Sequence, residues 1–474
     1  SGGAPPAPAA SHCLGGLAPL RRLRLAAARH QHHSRTALTS GERTHKRNVM
    51  AKEHKNLITG LDIGTAKVMA VTCEVQPDGQ LRLVGLGTAA SKGIKRGVVV
   101  DIEATVGSID QAIKEAEQTA GCNISRVHTG LTGSHIRSLN TSGMVMVKGK
   151  EVTVQDVARA VDSAKTVNTA ADQRLLLVEP QEFIIDGNLV REPVGMSGKR
   201  LQTRAHIVTG AQSAAENVLK CVRRCGLEVD QIMLNPLASG LAVLTDDERE
   251  LGAVCVDIGA GTTDVSIFFG GAIRHTAVIP IAGELMTSDI AIGLHTTMEN
   301  AEHTKVEHGV AKQMLAPREV DVDVSGMGEQ DLRQISKQAL AGVIEPRVVE
   351  IFSLVQQVIH ESGLEEQMQS AGIVLTGGSA SMPGMVDLGE DIFLKPVRVA
   401  VPRRAQEMSD MLAHPRVATV MGLLEEARLP VLHLETSSWE ISKLIEKFNR
   451  YIPVDDEQRI RDIQARCQFF LSGK

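Results

Sequence analysis

The chain has 474 residues, 43% hydrophobic and 23% charged, which are the proportions of a globular protein of about three domains. No run of roughly 18 apolar residues occurs, which excludes a membrane-spanning helix. Seven cysteines without a C-x-x-C pair give no disulfide or zinc framework, and a net charge of −5 gives no reason to expect nucleic acid as a partner.

The charge is uneven along the chain. Residues 1–49 hold eight Lys/Arg against one Glu, which leaves −12 for the remainder. This stretch is rich in Ala, Arg and His, has no apolar periodicity, and mimics a transit peptide in being Arg-rich and acid-poor. Met50 is the first methionine, and Met50-Ala51-Lys52 runs straight towards a strand, so residues 1–49 read as a disordered leader outside the native protein.

Strands are expected at Leu57–Leu61, Val68–Val75 and Leu81–Gly87, and a helix around Val106–Ala116. Further strands follow at Leu175–Val178, Ala205–Val208, Val254–Ile258, Val265–Phe269 and Ile373–Leu375, with a helix near Ala214–Arg224. The alternation predicts an α/β fold. Between Val127 and Val208 the pattern becomes β-rich, and residues 296–345 turn polar and charged; both read as insertions.

A short repeat carries the chemistry. Gly60-Leu61-Asp62-Ile63-Gly64-Thr65-Ala66-Lys67 closes one strand and turns into the next, and Val256-Asp257-Ile258-Gly259-Ala260-Gly261-Thr262-Thr263-Asp264 does the same almost 200 residues later. Each has an Asp at the strand end, a Gly where the turn can require positive φ, and a Thr beyond it. Such turns aim backbone N–H groups into one concavity suited to phosphate oxygens. Lys67 adds a compact positive charge, and Asp62 and Asp257 suit a hydrated Mg²⁺. Alone, either turn reads better as a plain hairpin with a Gly turn; as a pair they suggest two related halves gripping one nucleotide. An apolar strand then ends in Gly377-Gly378, with Ser379 and Met382 beside it, where paired glycines let a flat ligand approach. Glu302 and Lys305 share a face if their segment is helical, where a solvated ion pair is the alternative.

In this order the motifs resemble the phosphate-1, phosphate-2 and adenosine elements of the actin, Hsp70 and sugar-kinase ATPase superfamily. Within it, residues 55–430 most resemble the bacterial actin-like FtsA cell-division family. The stretches 60–67, 244–252, Arg274-His275-Thr276 with Ile279-Pro280, Thr287-Ser288-Asp289-Ile290, and Val343-Ile344-Glu345-Pro346-Arg347 carry the likeness. The resemblance implies a two-lobed actin-like ATPase with ribonuclease H-like halves. Subdomain 1A would comprise 50–132, 212–247 and 406–432, and the inserted 1C subdomain 133–211. Subdomain 2A would comprise 248–297 and 346–405, 2B 298–345, and a tail 433–474 with an amphipathic helix.

The resemblance also implies ATP and Mg²⁺ as ligands. Phosphate contacts fall on Gly64, Thr65, Ala66, Lys67, Gly259, Gly261, Thr262 and Thr263; ribose and adenine contacts fall on Glu302 and Lys305, and the adenosine loop on Gly377, Gly378, Ser379 and Met382. Two departures stand out. Ala260 replaces a common glycine and would be strained at positive φ. Asn235, before Pro236, stands where active relatives place a Glu to order the attacking water, so hydrolysis should be slow. An Hsp70-type ATPase machine or a pilus-assembly relative is the alternative reading.

In the tail, Trp439, Ile441, Leu444, Ile445, Phe448, Tyr451 and Ile452 recur at helical spacing, and the tail holds five of the ten aromatic residues. Trp439, Leu444, Ile445, Phe448 and Ile452 are the expected membrane-contacting face; docking on the protein body is the alternative. The family likeness implies further partners. These are the FtsZ C-terminal peptide near Arg347, other copies of the chain, later division proteins through 1C, and lipid at the cytoplasmic face of the inner membrane. Read without the family, Arg347 is equally a surface arginine at a helix start.

Overall fold

Two sheets of the same plan grow from the repeated hairpins. The computed structural model describes residues 56–433 except 167–169, 327–331 and 369–371; the leader and the tail residues named above lie outside the described residues. In the first lobe, β1 (Leu57–Ile63), β2 (Lys67–Val75) and β3 (Leu81–Ala90) form an antiparallel meander. A small hairpin, β4 (Ile94–Lys95) and β5 (Val98–Val99), follows. Helix α1 (Ile102–Ala120) then crosses the sheet to β6 (Arg126–Leu131), which pairs parallel with β1. The Asp101 side chain caps α1 by accepting from Ala104 N.

An inserted subdomain interrupts the lobe: β7 (Arg137–Met146), α2 (Val154–Ala164), β8 (Gln173–Ile185), β9 (Asn188–Val190) and β10 (Arg200–Ala211). Its four strands form a separate sheet in the order β7-β10-β8-β9. Helix α3 (Gln212–Arg224) then leads to β11 (Glu228–Leu234), completing the first sheet as β11-β6-β1-β2-β3.

Helix α4 (Asn235–Val243) and the short α5 (Asp246–Leu251) lead to the second lobe. There β12 (Ala253–Ile258), β13 (Thr263–Phe269) and β14 (Ala272–Ile279) repeat the antiparallel meander. Helices α6 (Gly283–Leu294) and α7 (Met298–His308), the hairpin β15 (Asp321–Ser325) with β16 (Leu332–Ser336), and α8 (Lys337–Glu361) precede β17 (Ile373–Thr376). Helix α9 (Met385–Phe393) and β18 (Val397–Val399) close the sheet as β14-β13-β12-β17-β18, so a three-stranded antiparallel meander flanked by two parallel strands recurs in the same order as in the first sheet. Every residue of β12 is buried, as a strand covered on both faces should be.

The lobes share one core. Eight of the nine residues of α4 are buried, and α10 (Ala418–His433) packs across it. A Cβ on Gly422 would sit 1.8 Å from Ala238 O, so only glycine lets the two helices cross this closely. Around them Ile58, Val71, Leu237, Leu424, Phe268 and Val374 form one apolar cluster drawn from both sheets.

Helix α8 corrects one expectation. The sequence suggested a helix starting at Glu345-Pro346-Arg347, yet α8 runs through Pro346 without ending. A proline inside a helix costs about 3 kcal/mol. Burial of Leu340, Ile344, Val348, Ile351, Phe352, Val355 and Ile359 along the same helix outweighs that loss.

The insert is tied to the second lobe although it branches from the first. Ser138 Oγ donates to Thr276 O (2.7 Å), Asn140 Nδ2 to Arg274 O (3.0 Å) and Gln181 Nε2 to Ile273 O (2.9 Å), so β14 is covered by side-chain donors. Buried His206 links Asn140 Oδ1 (2.8 Å) and Thr276 Oγ1 (3.0 Å), and Arg274 pairs with Glu182 at 2.8 Å. Burial and then the charge of His275 push His206 down to about 3. The folded ring therefore stays neutral while the unfolded one takes a proton below about 6.5. Stability should fall as pH drops from about 6.5 towards 3, by up to about 1.4 kcal/mol per pH unit from this group. Urea unfolding at pH 7 and pH 5 checks this: His206→Gln should shrink the difference between the two pH values.

Candidate nucleotide site

The two turns are built alike. β1 and β2 end their register at Ile63 and Val68, and β12 and β13 at Ile258 and Thr263. Gly64 N donates to Lys67 O and Gly259 N to Thr262 O, both at 3.0 Å, leaving Thr65, Ala66, Ala260 and Gly261 at the turn tips. Neither Gly64 nor Gly259 has positive φ, contrary to expectation. At Gly64 the requirement is space, since a Cβ would lie 2.9 Å from Lys67 O. Ala260 has no positive φ either, so it carries no strain. The turns face each other closely: a Cβ on Gly261 would meet Thr65 Oγ1 at 2.3 Å.

Between the turns lies a group of buried carboxyls. Burial, with a further rise from Asp257 and an opposing pull from Lys67, brings Asp62 up to about 6. Asp257 is also raised by burial, while hydroxyl donors lower it: Ser239 of α4, and Thr419 of α10 at 3.1 Å. Asp264, directly opposite Asp257 on β13, was not singled out from the sequence as a site residue. Burial and then the charge of Asp257 push it up to about 8, and Thr132 Oγ1 donates to it at 2.7 Å. The period-2 rule could have found it, because cross-strand partners share a face. Among the described residues no three His, Cys, Asp or Glu side chains form a metal cage. The donor set of Asp62 and Asp257 fits Mg²⁺, which takes one or two carboxylates and keeps most of its water.

The two lysines differ in kind. Lys67 Nζ has only Met69 Sδ, at 3.6 Å, as a hydrogen-bond acceptor among the described residues. Burial lowers its pKa against the pull of Asp62, and no oxygen accepts from it among the described residues. Lys305 Nζ is saturated: it donates to Gly283 O (3.0 Å), Thr287 Oγ1 (2.7 Å) and Glu302 Oε2 (2.6 Å). Its side chain is 8% exposed and that of Glu302 52%, so the pair is not a solvated one. Lys305 holds Glu302 against α6, with Thr287 as a second donor, while the Glu302 side chain stays half-exposed.

The Gly377-Gly378 loop, the expected adenosine loop, lies against the second turn. Gly377 adopts φ 89°, and a Cβ there would sit 2.3 Å from Asp257 Oδ1. Ser379 Oγ donates to Gly259 O at 3.0 Å, joining this loop to the second turn, and Met382 lies beside Gly309. Asn235 is buried at the start of α4, and its Oδ1 finds no partner within the described protein. Arg347 is far less available than expected. Its Nε and Nη2 form a bidentate pair with Asp289 at 2.7 and 2.9 Å, and Nη1 binds Glu350.

Two sheets of one plan and paired, facing hairpin turns define a two-lobed, actin-like protein. Solved structures support that class: a PilM–PilN type IV pilus biogenesis complex aligns with TM-score 0.57 at 18% identity, over 79% of this chain and 98% of the other. MreB5 of Spiroplasma citri bound to ADP aligns with TM-score 0.51 at 15% identity, over 81% and 100%. The family is fixed by sequence. A model described as cell division protein FtsA matches residues 254–422, and one described as the SHS2 domain inserted in FTSA matches 133–209. Cell division protein FtsA of Pseudomonas aeruginosa is 51% identical over 369 residues, covering 78% of this chain and 88% of the relative. The Neisseria meningitidis protein is 47% identical (79% and 91%), and that of Escherichia coli K12 42% identical (78% and 90%). The chain belongs to the FtsA family of cell division proteins.

The contrast between the lysines can be measured. Lys67→Met should weaken ATP binding roughly ten- to hundredfold, the worth of a hydrogen bond to a charged group, and leave the nucleotide-free melting temperature unchanged or higher. Lys305→Met should lower that melting temperature by several degrees, because it strands two buried acceptors, Gly283 O and Thr287 Oγ1. Calorimetric titration and scanning fluorimetry read the two effects separately.

Proposed function

We propose that the chain is an ATP- and Mg²⁺-binding adaptor that tethers FtsZ filaments to the cytoplasmic membrane during division. The observation that carries the nucleotide part is the pair of matched turns around Lys67, an ammonium with no oxygen acceptor. Gly64, Thr65, Ala66, Lys67, Gly259, Gly261, Thr262 and Thr263 would hold the phosphates. Glu302, Gly377, Gly378, Ser379 and Met382 would hold the nucleoside, with Lys305 positioning Glu302. Asp62 and Asp257 would hold the hydrated metal ion, which supplies charge neutralisation at the phosphates. Asn235 is neutral at pH 7 and cannot take a proton from water, so turnover should be slow.

Membership of the FtsA family supports the division role, and the link to FtsZ, self-association and recruitment of later division proteins through the insert extend it. Arg347 remains in this reading only as part of an Asp289–Arg347–Glu350 cluster. A peptide carboxylate would have to displace Glu350 to reach its guanidinium. No helix among the described residues is long and apolar enough to cross a membrane. Attachment is therefore assigned to the tail face of Trp439, Leu444, Ile445, Phe448 and Ile452, whose sequence pattern supports it.

Three Lys/Arg against two Glu over residues 437–452 make attraction to anionic lipid weak, and apolar burial should dominate at up to roughly 2 kcal/mol per side chain. In vesicle co-sedimentation, the wild type should stay bound at moderate salt, and Trp439→Glu with Phe448→Glu should release it. Full release of the wild type by salt would make the anchor electrostatic. Retention of the double variant would move the anchor to Phe469-Phe470-Leu471.

A further inference from the structure

Beyond the residues assigned above, a second cation beside the site has no oxygen acceptor among the described residues. The His414–Arg416 segment is fixed against the adenosine loop. Pro415 O accepts from Gly377 N (3.2 Å) and Thr376 Oγ1 (3.3 Å), and His414 Nδ1 accepts from Arg416 N (3.1 Å). A Cβ on Gly378 would lie 3.7 Å from Arg416 Cβ, so the arginine stem borders this loop in ordinary contact. The Arg416 side chain is exposed and makes no ion pair or hydrogen bond among the described residues. Neighbouring arginines are paired: Arg398 with Glu248, and Arg404 and Arg428 with Glu425.

Arg416 also lies within electrostatic reach of Lys67. The Lys67 ammonium, depressed first by burial, is depressed further by Arg416, while Asp62 opposes. His414 is lowered by burial, then by Arg416 and by Lys67. Basic groups of the first phosphate turn and of the segment before α10 thus lie within electrostatic range of one another, and the arginine stem borders Gly378. Lys67 has two carboxyls to moderate it, and Arg416 has no partner of its own. Such a grouping destabilises the empty protein and is relieved by a polyanion. A guanidinium fork suits phosphate oxygens better than any other side chain.

We propose that Arg416 is a further phosphate-binding residue of the cleft, which acts with Lys67 on the polyphosphate of a nucleotide seated over Gly377-Gly378. The inference rests on the nucleotide reading above. It makes Arg416 a sensor of phosphate charge that favours nucleoside di- and triphosphates over the nucleoside.

Calorimetric titration of ATP, ADP and adenosine with Mg²⁺ present, on the full chain and its R416Q and R416K variants, tests this. R416Q should lose roughly ten- to hundredfold in ATP and ADP affinity and almost nothing for adenosine, and R416K should recover part of the loss. ATP binding should also depend less on salt in R416Q, while its nucleotide-free melting temperature matches or exceeds that of the wild type. Wild-type ATP affinity in R416Q, or an equal loss for ATP and adenosine, would overturn the assignment and leave the nucleotide site intact. A wild-type chain that binds none of the three ligands would overturn the nucleotide reading and Arg416's role together.

Discussion

One buried carboxylate joins the parts of this cleft. Asp257 belongs to the second sheet, yet it accepts from Ser239 of α4 and Thr419 of α10, the crossing helices that form the shared core. The same side chain dictates the adenosine loop, because only a glycine at position 377 clears its Oδ1. Burying a carboxylate is costly unless donors reach it, and here the donors come from outside its own sheet. The price is also visible across the strand. Asp264 faces Asp257 directly, and burial, then the charge of Asp257, pushes it up to about 8.

Around that fixed point the site separates rigid from receptive groups. Lys305, Thr287 and Ser379 have their hydrogen bonds satisfied by protein atoms and brace the second turn and α6. At the site, Lys67 and Arg416 have no oxygen acceptor among the described residues. Preorganised supports with open donors are what a site needs if a ligand is to complete its electrostatics. The insert adds a second tie between the lobes through β14, so any change in the angle between the lobes must either carry the insert along or break its bonds to Thr276, Arg274 and Ile273.

The parts of this fold that were legible in the sequence are local. Both hairpin turns, the buried strands beside them and the helix capped at Asp101 follow from short patterns of Asp, Gly and apolar residues. What was not legible depends on partners far along the chain. Lys305 looks like half of an exposed ion pair until α6 is packed against it, and Arg347 looks available until Asp289 arrives from 58 residues away. The family likeness placed a helix start at Glu345-Pro346-Arg347, yet tertiary burial along α8 carries the helix through the proline. The glycines of the turns were recognised, but for positive φ, whereas the structure shows that at Gly64 close approach is the reason.

The central claim is that the two turns grip one ligand together. Amide hydrogen exchange measured with and without ATP and Mg²⁺ tests it most directly. The account predicts that residues 64–67 and 259–263 gain protection together and at the same nucleotide concentration. Protection confined to one turn, or absent from both at saturating nucleotide, would contradict it.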